Sequence, residues 1–161
     1  MALTIPDADS MEALGACLAP LLRAGDLVLL NGELGAGKTT LARGLGAALG
    51  ARGAVTSPTF VLARQHPTAS GVPLVHVDAY RLDTGRELDD LDLDYAHAIV
   101  VVEWGAGKLD RVSDSWLTFD IERPTGADSP DDLDAHEPRQ VTITGTGPRG
   151  RELEAALASR G

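Results

Sequence analysis

The stretch "NGELGAGKTTLARGLGAALG", residues 31–50, decides how this chain is read. Half of its positions are glycine or alanine. Glycine lowers helix propensity, yet the stretch follows the apolar run "LVLL" at 27–30, so its glycines serve something other than helix stability. Gly32, Glu33, Leu34, Gly35, Ala36, Gly37, Lys38 and Thr39 match G-x-x-x-x-G-K-[ST], the phosphate-binding loop that follows a strand and opens a helix. Glycine there lets the backbone bend tightly, so that successive N–H groups converge on phosphate oxygens. Lys38 would neutralise the β- and γ-phosphates and Thr39 would offer a hydroxyl to Mg²⁺, while the helix adds the positive end of its dipole. The alternative is a glycine-rich turn that happens to carry Lys and Thr. Motif, preceding strand and following helix agree against it.

Outward from the loop, helical and strand signals alternate. "DLVLLN" (26–31) is an apolar run between turn residues, as expected of a strand buried on both faces. Upstream, "DADSMEALGACLAPLLRAG" puts Met11, Leu14, Leu18, Leu21 and Leu22 on one helical stripe, with Asp or Ser to cap it and Gly25 to stop it. Pro20 shortens or kinks that helix. Cys17 falls on its apolar face as a small buried side chain. Downstream strands are expected at Phe60–Gln65, Leu74–Asp78, Ile99–Glu103, Leu117–Glu122 and Val141–Thr144. The pattern predicts an α/β chain, one P-loop domain over 1–161, with a mostly parallel or mixed sheet flanked by helices. "HPTASGVP" (66–73) reads as a short hairpin loop, and 123–138, rich in Pro, Asp and Gly, as a long flexible acidic loop.

The net charge of −10 is concentrated in two places. "ELDDLDLD" (87–94) and "DSPDDLDAHE" (128–137) each hold five acids and no Lys or Arg; the other 14 acids balance the 14 bases. Such runs are solvated surfaces or docking sites for a basic partner. Neither suits direct binding to nucleic acid, which draws on Lys and Arg. No apolar run reaches the roughly 18 to 20 residues of a membrane span. The N-terminal sequence carries acids where an export signal has a basic region, and one cysteine leaves no internal disulfide. A cytoplasmic protein without membrane or disulfide partners is the expectation.

Hydrolysis at a phosphate loop also needs a carboxylate that helps to hold Mg²⁺ and a group that orients the attacking water. "AIVVVEW" ends an apolar strand in Glu103, and "PLVHVDAY" ends another in Asp78. Each could be an ordinary strand-ending acid. Two such strands beside one phosphate loop read better as a shared metal site. "GAGKL" (105–109) lacks the first glycine and the hydroxyl after Lys108, and reads as a turn.

"GELGAGKTT", "VTSPTF", "LVHVDAYRL" and "VVEW", in that order and at these intervals, resemble the TsaE (YjeE) family of bacterial ATPases, which take part in making the threonylcarbamoyladenosine (t6A) of tRNA. The resemblance spans residues 32–104 and fades after Trp104. It implies a small ATPase acting with the TsaD and TsaB proteins, which modify the adenosine beside the anticodon, so that tRNA is met only indirectly through that complex. ATP and Mg²⁺ are the implied cofactors, and low intrinsic activity raised by the partners is implied with them. By motif, Glu33, Leu34, Gly35, Ala36, Gly37, Lys38, Thr39 and Thr40 cradle ATP. Lys38, Asp78 and Glu103 are the catalytic set: Lys38 the phosphate lysine, Asp78 an acid near the γ-phosphate, and Glu103 with Thr39 the Mg²⁺ ligands. Thr56, Ser57, Pro58 and Thr59 match a switch-like loop, though Ser57-Pro58 also suits a plain turn before a strand. Trp104 is either core or packs against the site or a partner. Arg139 is the C-terminal candidate for a nucleotide contact. The rival reading is a P-loop kinase of a small molecule; it needs an acceptor pocket and a basic lid, whereas the largest loop here is acidic.

Overall fold

The computed structural model describes residues 1–33, 35–53, 63–79, 93–104, 107, 109, 112–123 and 138–160. Leu34, the switch-like Thr56–Thr59, most of the acidic segment 87–94, all of 128–137 and most of "GAGKL" lie outside them. Seven strands among the described residues form one sheet: β1 (Ala2–Ile5), β2 (Leu27–Gly32), β3 (Ala63–His66), β4 (Leu74–Asp78), β5 (Ile99–Glu103), β6 (Trp116–Glu122) and β7 (Arg139–Thr146). Their order is β1-β7-β6-β2-β5-β4-β3. The four central strands β6, β2, β5 and β4 run parallel. β3 at one edge and β7 and β1 at the other run antiparallel to their neighbours. The sheet is therefore mixed, with the apolar runs at its parallel centre, where both faces are covered.

Helices α1 (Ala8–Leu18), α2 (Lys38–Ala48) and α3 (Gly147–Ala158) pack on one face. Asp7 caps α1 by accepting from the Ser10 N–H at 2.8 Å. Met11, Leu14, Gly15 and Leu18 form the buried stripe of α1, and the helix ends at Leu18 because Pro20 starts a separate 3-10 turn, Ala19–Leu21. Cys17 is exposed rather than buried, since helical geometry turns it about 100° away from the centre of that stripe. Gly15 and Gly44 lie where α1 crosses α2. A Cβ on Gly44 would strike the Glu12 backbone and one on Gly15 the Leu41 backbone, so part of the glycine in 31–50 serves close helix packing. The opposite face of the sheet buries Leu27, Leu29, Val75, Val77, Val100 and Val102 with Leu109, against Leu93, Tyr95 and Val112.

The expected strands recur with shifted ends. β6 and β7 extend beyond Leu117–Glu122 and Val141–Thr144, β3 occupies Ala63–His66, and 67–73 closes the β3–β4 hairpin as read. β1 and α3 were not anticipated. β1 is a four-residue edge strand paired only to β7, too short for a pattern. α3 starts on Gly147-Pro148 and buries only Gly150, Leu153 and Leu157.

Candidate functional site

The C-terminal ends of parallel strands form a crevice in which α/β proteins place their ligands. Here β2 ends at Gly32 and the chain turns through 33–37 into α2. Gly37 is the N-cap of α2 at φ 119°, a left-handed conformation in which a side chain would be strained and a Cβ would press on the Met11 methyl group. Ala36 is buried beneath the loop, and its N–H donates to the Glu33 carbonyl at 3.0 Å. Thr39 and Thr40 follow in the first turn of α2, both half-buried.

Lys38 is buried, with 6% of its surface exposed. Its Nζ donates to the carbonyls of Gly32 at 2.5 Å and Glu33 at 3.0 Å, and lies 4.0 Å from the centroid of the Trp104 ring. Burial lowers its pKa, against the attraction of Glu103 and Asp78, which raises it. The ammonium is thus folded back across its own loop.

Register joins the two carboxylate strands to β2. Leu30 pairs with Glu103, and Glu103 pairs with Asp78, so both acids stand at the strand ends beside the loop. They share the helix-covered face with Leu30 and Val101. Glu103 is buried, and its Oε2 accepts from Nε2 of the buried His76 at 2.7 Å. His76 Nδ1 has no partner among the described residues. His76 therefore fixes the rotation of the Glu103 carboxylate through one oxygen, in the way outer-shell groups orient a metal-binding acid. The sequence reading passed over His76. Its signal was a polar residue two before Asp78 on a buried strand, which alternation places on the face of Asp78.

Trp104 follows with φ 63°, the left-handed region uncommon for a non-glycine residue. Its N–H donates to Leu30 O at 3.2 Å, and its ring meets the Lys38 ammonium. Arg139, from the start of β7, is buried and reaches the loop from behind: its Nε donates to Ala36 O at 3.0 Å and Nη2 to Gly35 O at 3.4 Å.

These residues fit ATP and Mg²⁺ by their chemistry. Gly37 leaves the backbone without a side chain at the N-terminus of α2, where a phosphate would need close approach. No group of three or more His, Cys, Asp or Glu among the described residues could hold a metal unaided. Mg²⁺ takes one or two carboxylates and completes its shell with substrate phosphates and water, so a Thr39 hydroxyl with Glu103 would be enough protein donors for it. No helix among the described residues is long and apolar enough to cross a membrane.

The chain as a whole is similar to known proteins. The chain is 57% identical over 151 residues to the tRNA threonylcarbamoyladenosine biosynthesis protein TsaE of Streptomyces coelicolor, covering 91% of this chain and 98% of that protein. It is 48% identical over 136 residues to the protein of that name from Mycobacterium bovis, covering 78% and 81%. The crystal structure of YdiB from Bacillus subtilis superposes with a TM-score of 0.73 at 27% identity, over 99% of this chain and 95% of that one. Residues 5–129 match the family described as threonylcarbamoyl adenosine biosynthesis protein TsaE, and the chain belongs to that family.

Proposed function

We propose that this protein is a Mg²⁺-dependent ATPase serving t6A formation in tRNA, slow alone and accelerated by the TsaD and TsaB proteins, in the cytoplasm. The observation that carries the nucleotide chemistry is the Lys38 ammonium, withdrawn from water between the Gly32 and Glu33 carbonyls beside the paired acids Asp78 and Glu103. Lys38 is poised to exchange those carbonyls for phosphate oxygens. The backbone of Glu33–Thr40 holds the phosphates, Thr39 and Glu103 hold the metal, and Asp78 orients the water that attacks the γ-phosphate. Bound Mg²⁺ supplies neutralisation of charge on the phosphate oxygens. Trp104 covers the lysine. The switch-like Thr56–Thr59 is the segment expected to rearrange when a partner completes the site.

The pathway part of the proposal is supported by the names of the relatives. Phosphate release is the test, measured for the protein alone, with TsaD or TsaB, and with both. Acceleration by the pair that vanishes in Lys38→Ala supports the proposal. An unchanged rate with the pair, together with phosphorylation of a small-molecule acceptor, establishes the kinase instead.

A further inference from the structure

The phosphate loop is held from behind by a residue far from it in sequence. Arg139 lies 103 positions from Ala36, and its side chain is 7% exposed as a residue. β7 runs antiparallel to β6 and β6 parallel to β2, so β7 begins at the end of the sheet where β2 enters the loop. With β6 lying between them, the Arg139 side chain crosses one strand to reach Gly35 and Ala36.

A buried guanidinium is costly unless its donors are satisfied. Here they meet carbonyls of successive peptides, which the planar guanidinium serves from two nitrogens held in a fixed relative geometry. The peptide unit is planar and trans, so the Ala36 carbonyl and the Gly37 N–H point in opposite directions. Drawing that carbonyl toward Arg139 turns the Gly37 N–H to the other side of the loop. The preceding peptide, with Gly35 O toward Arg139, has its N–H committed to Glu33 O. Gly37 is the donor left to be aimed.

We propose that Arg139 is a positioning residue: it aims the Gly37 N–H into the phosphate cradle and sets a positive charge behind it, without touching the ligand. The inference rests on reading the loop as a nucleotide site. A residue that only fastened β7 to the core would leave phosphate affinity alone once the protein is folded.

The experiment is ADP titration by calorimetry on the wild type, Arg139→Met, Arg139→Lys and Arg149→Lys, each checked for folding by circular dichroism. Arg149 pairs with Asp26 at the far end of β2 and controls for a loosened guanidinium elsewhere. Both Arg139 variants are expected to bind ADP about tenfold to a hundredfold more weakly, with lysine restoring little and Arg149→Lys matching the wild type. Wild-type affinity in folded Arg139 variants overturns the inference and leaves the nucleotide site standing. Failure of the wild type to bind ADP overturns both. Should the variants not fold, the wild type decides by NMR: a slowly exchanging Arg139 Nε–H and a Gly37 amide that shifts on adding ADP are expected, and a rapidly exchanging Nε–H overturns the assignment.

Discussion

Replacing Lys38 by Met keeps the aliphatic stem and removes the ammonium, and its effects on folding and on binding should separate. The charged form gains two hydrogen bonds from a cationic donor, each worth about 1.5 to 3 kcal/mol, and a cation–π contact of about 0.5 to 2 kcal/mol. Against this stands a desolvation penalty of several kcal/mol for a buried ion. Burial lowers the Lys38 pKa against the pull of Glu103 and Asp78, so desolvation offsets much of what these contacts contribute. Lys38→Met should therefore leave the unfolding free energy at pH 7 little changed, and shift it in the stabilising direction if at all. The pH dependence follows the same sign. A lysine whose folded pKa lies below its unfolded value binds fewer protons in the folded state between the two. Wild-type stability therefore rises through that alkaline interval, and any advantage of Lys38→Met shrinks there. ADP affinity should meanwhile fall about tenfold to a hundredfold. Urea denaturation at pH 7 and at alkaline pH, with ADP calorimetry at pH 7, measures all three. A variant destabilised by about 3 kcal/mol with ADP affinity intact would show that the ammonium is a structural staple, and the site reasoning would fail.

The two acids should behave differently: Glu103→Ala raises the Mg²⁺ concentration needed for ATP hydrolysis, while Asp78→Asn binds ATP but hydrolyses it slowly, and equal, fully Mg²⁺-rescued defects would merge their roles. Arg149→Met breaks a bidentate pair, 2.8 Å at both contacts, with Asp26, a carboxylate only 2% exposed. The loss should be about 3 kcal/mol, or roughly 10 °C in melting temperature, with ADP affinity unchanged; an unaltered melting curve contradicts it. The Gly145 N–H holds the Glu154 carboxylate below its ordinary pKa, so its stabilisation is present at neutral pH and lost as pH falls through the lowered value. The stability gap between wild type and Glu154→Gln should close on acidification, and a gap constant with pH would refute the assignment.

What the sequence discloses here is the parallel half of the molecule. β2, β4 and β5 are buried on both faces and read as runs of Val, Ile and Leu that end in the residues of the site. Those ends are legible because chemistry at the rim of a parallel sheet needs particular side chains at particular strand termini. His76 was hidden by the same burial, since one polar residue in "LVHVD" breaks no period. Cys17 was misplaced because the stripe of α1 is narrower than its apolar composition. β1 is four residues with three of them not buried, and α3 has one apolar face interrupted by Gly150, so neither carried a period to detect.

These less legible elements bear on how the site is held. Parallel strands bring Lys38, Asp78 and Glu103 together, whereas among the described residues the side-chain donors to the Gly35 and Ala36 carbonyls come from outside that half. The antiparallel edge supplies them: β7 carries Arg139 to the Gly35 and Ala36 carbonyls, and α3 carries Arg149 to Asp26 at the other end of β2. One strand is thereby held at both ends by arginines from an edge that holds none of the candidate catalytic residues. Arg139 follows the acidic segment 128–137 by two residues. A protein that engaged that segment would act two residues from the side chain that sets the phosphate loop. Weakening of partner-stimulated phosphate release by salt, more strongly in the wild type than in a variant with 128–137 neutralised, would place charge attraction at that point. Equal salt sensitivity in both proteins would place it elsewhere on the surface.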